Sequence, residues 1–359
     1  MPESENEKSQ VQPSSSTPDP AQEASTPHNW QAEYEQRVLA PDQDEEFIGE
    51  LGTNFKHMHF FRPELFPYDG PHPWLDQADA ELRIVDKLEA GEITPDQAEA
   101  CRFWRDNGYF IIKNCFSKAD IETTWDAYEE AIAQGRVELN QDPKHPDDPY
   151  PGRSQDTHLK VREIAAILCN ETIKSWISLF MERTAKPFQT LVAHKGSQQA
   201  THSDSIHMTT FPLGYLTAAW VAMEDIHEDS GPLVYYPGSH KLPYMLSSDV
   251  GITIREFQER QYDAYREKYE PAVRELIDSQ ALQPKYFLPG KGDVLIWHAN
   301  LLHGGSLRKN LKYSRKSIVC HYFVEGTFNY HDLSAKRARP HGGTCMIGDH
   351  EYSSRRAEH

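Results

Sequence analysis

The 359-residue chain carries 55 Asp plus Glu against 37 Lys plus Arg, and its formal net charge of −18 opposes binding along a nucleic-acid phosphate backbone. Its five cysteines include no Cys-x-x-Cys pair, which argues against a zinc knuckle or disulfide framework and fits a reducing compartment. No apolar run reaches the roughly 18 residues of a membrane helix, no leader pattern opens the sequence, and a cytoplasmic protein without nucleic-acid or membrane partners is expected.

Residues 1–29 contain one branched aliphatic residue, Val11, among Pro, Ser, Glu, Gln and Thr. Burial cannot offset the ordering entropy of such a segment, so a disordered tail is expected. From Trp30 to about Pro95, aromatics and prolines follow without clear periodicity and suggest an arm packed on the main domain. Asp96 to Asn107 reads as a short helix stopped by Gly108, and Tyr109-Phe110-Ile111-Ile112 as a strand. Ser117-Lys118-Ala119-Asp120 resembles a capping box ahead of the helical stripe Ile121, Trp125, Tyr128 and Ile132, which ends near Gly135.

A second helix is expected over Val161–Glu182, and strand-like runs follow at 188–193, 215–223, 233–236, 293–297 and 313–323, separated by turn residues. A charged, helix-compatible insert at 252–282 interrupts them, with Phe257, Tyr262, Tyr265, Tyr269 and Val273 spaced three to five residues apart. Pro271 predicts a break or a new helix start there. The stripe fits a surface helix covering a barrel, with a substrate lid as the sharper reading. Helices first and short strands afterwards predict an α+β chain with a mainly β core, an antiparallel barrel or sandwich over residues 96–330, and a C-terminal tail at 331–359.

His202 and Asp204 are one residue apart, so on a strand both side chains leave the same face. His303 comes about 100 residues later, beyond the apolar run Val294-Leu295-Ile296-Trp297 and before Gly304-Gly305, which allow close backbone approach. Two imidazoles and one carboxylate can hold a divalent metal on one face and leave the opposite positions for substrate and oxygen. His298 competes with His303 for the third position; the glycine pair and the spacing to Arg315 favour His303.

Arg315 opens an alternating run in which Arg315, Ser317, Val319, His321 and Phe323 share a face. A guanidinium fork beside a hydroxyl suits one end of a dicarboxylate. The three metal ligands alone equally fit a zinc-dependent hydrolase or isomerase of cupin type. Arg315-Lys316-Ser317 discriminates in favour of a metal-dependent oxygenase with an acidic cosubstrate.

These residues, with Ala219-Trp220-Val221-Ala222-Met223-Glu224-Asp225, Asp229-Ser230-Gly231-Pro232-Leu233 and Pro237-Gly238-Ser239-His240-Lys241, resemble the phytanoyl-CoA dioxygenase family of Fe(II)/2-oxoglutarate-dependent oxygenases from about Phe103 to Phe323. The resemblance implies a double-stranded β-helix, or jelly roll, with Fe(II) on His202, Asp204 and His303, and 2-oxoglutarate on Arg315 with Ser317 and Gln189. It implies consumption of O2, release of succinate and CO2, and hydroxylation of a small-molecule metabolite or natural-product intermediate. Trp220 and His207 are candidate substrate contacts. The family name is not carried to the substrate, because one fold and one motif set serve many molecules; oligomeric state is left open.

Overall fold

The computed structural model describes residues 72–140 and 148–334, together with the short strands Lys336–Arg337, Thr344–Ile347 and His350–Ser353. The tail expected at 1–29, most of the arm and much of residues 331–359 lie outside the described residues.

The described end of the arm is more regular than its sequence suggests, since it forms a helix, α1 (Ala80–Glu89). Ile84 is buried on one side, while Lys87 reaches Glu182 at 2.7 Å and Arg83 pairs with the same carboxylate. α2 (Pro95–Asn107) starts where Thr94 and Gln97 cap each other and stops at Gly108, whose φ of 75° suits only glycine without strain. β1 (Tyr109–Ile112) follows, then α3 (Lys118–Ala133), capped by the Ser117 hydroxyl accepting from the Asp120 amide at 3.1 Å. Ile121, Trp125 and Tyr128 are buried as their spacing predicts.

After the two-residue β2 (Ser154–Gln155), the single helix expected over 161–182 divides into α4 (Arg162–Leu168) and α5 (Glu171–Met181). Asn170 makes the break. Its side chain accepts the Ile173 amide at 3.1 Å and so favours a cap over helix interior. Residues 162–181 are together apolar and long enough to cross a membrane. The longer piece, 11 residues, spans only about 16 Å against a hydrocarbon core of roughly 30 Å, and Ile164, Ile167, Leu168, Ile173, Ile177 and Phe180 are already spent in the protein core.

The remaining strands are β3 (Ala185–Ala193), β4 (Thr209–Phe211), β5 (Leu216–Ala222), β6 (Leu233–Tyr235), β7 (Lys285–Phe287), β8 (Val294–His298), β9 (His303–Gly305), β10 (Ser317–Val324) and β11 (Phe328–His331). An antiparallel six-stranded sheet in the order β1-β8-β5-β10-β3-β2 faces the shorter sheet β7-β6-β9, and β4 pairs with β11. This is a double-stranded β-helix with flanking helices. β11 runs through the boundary expected at residue 330, and Asp332 and Leu333 beyond it are buried, so the folded unit reaches further than its motifs do.

Alternation divides the large sheet between two cores. On β10, Ile318, Cys320 and Tyr322 turn outward to Trp104, Ile121, Tyr128, Ile177 and Phe180 on the helices. Val319 turns inward to a core of Ala218, Trp220, Leu233, Phe287, Leu295 and Trp297. The pairing of β10 with β3 sets Ser317 opposite Ala193, Val319 opposite Leu191 and His321 opposite Gln189, so Gln189 faces the barrel interior. Phe188 is skipped in that register, and the resulting bulge lets its ring meet Phe323 at a centroid distance of 5.6 Å.

The insert is helical, as its pattern predicts: α6 (Ile254–Arg260), a short turn at Tyr262–Ala264, a π-helical turn at Tyr265–Tyr269, and α7 (Glu270–Ser279). Pro271 causes a change of winding rather than a break, because it occupies the first turn of α7, where its missing N–H is harmless. Phe257, Tyr265, Tyr269 and Val273 pack on Ile206, Leu302 and Leu333. The insert therefore shares a core with the barrel mouth.

Candidate metal centre

The barrel brings His202, Asp204 and His303 together, with ligand atoms all within 4.8 Å of one another. Asp204 Oδ1 lies 3.7 Å from His202 Nε2 and 3.5 Å from His303 Nε2, and each residue is at most 5% exposed. His202 and His303 exchange both backbone hydrogen bonds at 2.9 Å, which joins the loop carrying the first two residues to β9. Gly304 and Gly305 make this approach possible. A Cβ on Gly304 would stand 2.9 Å from the Gln199 carbonyl oxygen, and one on Gly305 would stand 2.6 Å from the Gln198 amide.

The donor chemistry fits a metal. Nδ1 of His202 faces the Ala200 carbonyl at 2.9 Å, and Nδ1 of His303 faces the Leu301 carbonyl at 2.9 Å. A carbonyl only accepts, so Nδ1 carries the proton in both rings and Nε2 holds the lone pair aimed at the cluster. Gln199 Nε2 donates to His202 Nε2 at 3.2 Å, in keeping with that tautomer. Burial pushes both imidazoles down to about 4, helped at His202 by the neighbouring His303. Both are neutral and ready to ligate at pH 7.

The Trp297 indole donates to Asp204 Oδ2 at 2.8 Å, leaving Oδ1 turned toward the imidazoles. Sequence reasoning treats Trp297 only as the end of an apolar strand. Its indole N–H is the missed signal, because a buried tryptophan needs an acceptor. His298, the competing candidate, faces away: its Nε2 pairs with Asp76 Oδ2 at 3.1 Å and its Nδ1 accepts the Asn300 amide at 3.0 Å. Removing the indole N–H in Trp297→Phe is expected to weaken iron(II) affinity roughly tenfold, as loss of partners behind metal ligands typically does. Anaerobic iron titration of the two proteins checks this.

Arg315 lies just before β10 rather than on it, with its amide bonded to the His194 carbonyl at 2.8 Å. The expected alternation still holds across the junction. The Arg315 guanidinium lies 5.7 Å from the Trp220 ring inside the barrel, whereas the Lys316 ammonium lies 4.9 Å from Trp125 on the helical side. Arg315 is 5% exposed, one NH group donates to the Gly231 carbonyl at 3.2 Å, and Nε has no partner among the described residues. Among the described residues no carboxylate pairs with it. Burial, with Arg308 nearby, lowers it to about 10, so it remains charged at neutral pH.

Arg308 makes the contrast, since it is paired with Asp148, which Lys195 also reaches at 3.0 Å. Burial would raise the Asp148 carboxyl, but hydrogen bonds from Arg308 and Lys195 hold it at about 2. Ser317, the first residue of β10, is buried, and Gln189 is buried two strand positions from Leu191 on the interior face. Trp220 packs beneath Arg315 and edge-on to Phe287, at 5.7 Å in each case. Trp220 thus lies inside the barrel between Arg315 and Phe287.

His207 lies on the other flank of the cluster. Its ring centroid is 5.2 Å from that of His202, 5.0 Å from that of Tyr265 and 5.9 Å from that of Tyr262, and both its nitrogens are shut off from solvent without a hydrogen-bond partner among the described residues.

A model of the phytanoyl-CoA dioxygenase family matches residues 104–317, more than half of the chain. The chain belongs to the phytanoyl-CoA dioxygenase family. The peroxisomal phytanoyl-CoA dioxygenase of Bos taurus is 24% identical over 256 residues, covering 66% of this chain and 70% of the relative. The human enzyme of the same name is 22% identical over 252 residues, with the same two coverages. Among solved structures, the non-heme alpha-ketoglutarate-dependent epimerase SnoN from nogalamycin biosynthesis aligns with a TM-score of 0.53 at 15% identity, over 72% of this chain and 98% of its own. The carbocyclase SnoK from the same biosynthesis gives 0.51 at 17% identity, over 68% and 89%. At such identities these two structures speak for the fold. As a member of the phytanoyl-CoA dioxygenase family, this protein is an Fe(II)- and 2-oxoglutarate-dependent dioxygenase.

Proposed function

We propose that this dioxygenase hydroxylates a small-molecule metabolite or natural-product intermediate. One oxygen atom of O2 would enter a substrate C–H bond and the other would enter succinate as 2-oxoglutarate loses CO2. The observation that carries this reading is the buried Arg315 guanidinium, which pairs with no carboxylate among the described residues although the cluster His202, Asp204 and His303 shares its barrel.

In this reading His202, Asp204 and His303 hold iron through Nε2, Oδ1 and Nε2, and Trp297 keeps Asp204 to one oxygen. Arg315 clamps the far carboxylate of 2-oxoglutarate on the Trp220 floor, with Ser317 and Gln189 lining the same interior wall. Bound iron would supply oxygen activation at positions the three side chains leave open. The dry barrel interior strengthens the charge pairing of Arg315 and excludes competing water. His207 stands where a substrate would meet the cluster, and its unpartnered nitrogens offer that substrate a hydrogen bond. The described cysteines Cys101, Cys115, Cys169 and Cys320 form no disulfide, which supports a cytoplasmic location.

The test incubates protein, iron(II) and 2-oxoglutarate under air with a metabolite extract. Mass spectrometry follows succinate and any metabolite heavier by one oxygen atom. The expected result is a heavier species formed together with succinate. Absence of succinate under every condition would defeat the proposal, and so would a product formed without 2-oxoglutarate.

A further inference from the structure

We infer that the helical insert is a structural part of the metal centre, with Tyr269 as a positioning residue that holds the His202-Ser203-Asp204 triplet in its ligating conformation. This rests on the metal reading proposed above. Each amide of the triplet is anchored from a different place. The His202 N–H goes to the His303 carbonyl on β9 at 2.9 Å, and the Asp204 N–H goes to the Ala299 carbonyl after β8 at 3.0 Å. The central one, from Ser203, goes to the Tyr269 hydroxyl oxygen at 3.2 Å. Two anchors come from the barrel and one from the insert.

Ser203 is 1% exposed and Tyr269 fully buried, so neither group can turn to water if the bond is lost. The winding of the insert explains how the hydroxyl arrives there. Residues four apart share one face of a helix, so within the π-helical turn Tyr265 and Tyr269 come nearly into line. Their rings stack at 5.0 Å with an interplanar angle of 23°, and Tyr265 continues the column to His207, which lies against His202. The insert thus touches the first ligand through packed rings and the peptide between the ligands through a hydrogen bond.

A group that favours the ligating conformation raises metal affinity, and by reciprocity the metal must steady that group. The insert is therefore coupled to metal occupancy before any substrate arrives. A substrate-gated lid would respond to substrate instead.

Cobalt(II) titration of metal-free wild type, Tyr269→Phe and Ser203→Ala, followed by d–d absorption, tests the inference. Tyr269→Phe keeps the ring and removes the acceptor; its affinity is expected to fall roughly tenfold, the lower end for lost outer-shell partners, with an altered d–d spectrum. Ser203→Ala keeps the backbone N–H and removes only the longer contact of the Ser203 hydroxyl with the Tyr269 hydroxyl at 3.5 Å, so its loss of affinity is expected to be smaller than that of Tyr269→Phe. Hydrogen exchange in wild type needs no variant: cobalt(II) alone is expected to slow exchange across residues 262–279. Wild-type affinity and spectrum in Tyr269→Phe would overturn the inference, as would exchange in the insert that cobalt(II) leaves unchanged. Wild-type protein that takes up no cobalt(II) would defeat the metal reading itself, and this inference with it.

Discussion

Replacing His202, Asp204 or His303 by alanine is expected to abolish iron-dependent turnover in each case, whereas His298→Ala retains it. Three ligands are the minimum this site offers, and removing one leaves two donors that neither hold nor orient the metal. The Asp204 change has a second effect, because it strips the Trp297 indole of its buried acceptor. His298 points instead toward Asp76 and the Asn300 amide, so its loss is expected to cost stability, about 1–3 kcal/mol for buried partners left unpaired. Iron content and succinate formation in the purified variants separate the two effects. An inactive His298→Ala beside an active His303→Ala would reverse the ligand assignment.

Arg315→Ala is expected to weaken 2-oxoglutarate binding by roughly 10²-fold or more while sparing iron. Without the guanidinium a desolvated carboxylate is left unpaired, a loss of about 3–5 kcal/mol by analogy with broken buried ion pairs, and each 1.4 kcal/mol or so is tenfold in affinity. Arg308 cannot substitute, since Asp148 already holds it. Titration of 2-oxoglutarate into anaerobic iron-loaded protein, followed by its metal-to-ligand charge-transfer absorption, measures the change. Equal affinity in wild type and variant would remove Arg315 from the cosubstrate site. A wild type without such absorption would remove 2-oxoglutarate from the mechanism.

The metal cluster is legible in the sequence because its chemistry is carried by residue identity: a His-x-Asp triplet, a histidine before two glycines, and an arginine before an alternating run. The long strands β5, β8 and β10 are legible for the same reason, since mostly apolar, β-branched and aromatic residues run on for five to eight positions, as suits strands covered on both faces. β4, β7 and β9 are three residues each, too short for any period to show, and their pairing is decided by partners far away in the chain. The break at Asn170 turns on one side chain choosing to cap rather than continue. Trp297 and Tyr269 escape a reading by motif because each serves the cluster through a group on an otherwise apolar side chain. Only three-dimensional placement tells such a residue from ordinary core.

The reciprocal bond pair between His202 and His303 has a kinetic side. The two residues are about 100 positions apart, and closing a flexible loop of that length costs on the order of 4 kcal/mol before any contact offsets it. The pair is expected to form after the intervening strands and the insert, in the slow regime of long-range β topologies, and metal uptake followed during refolding checks that order. On that order, collapse comes first and the ability to capture metal last. Metal capture reports completion of the barrel, and a chain stalled with an open seam, however compact and helical, presents its histidines as two separate, weak donors.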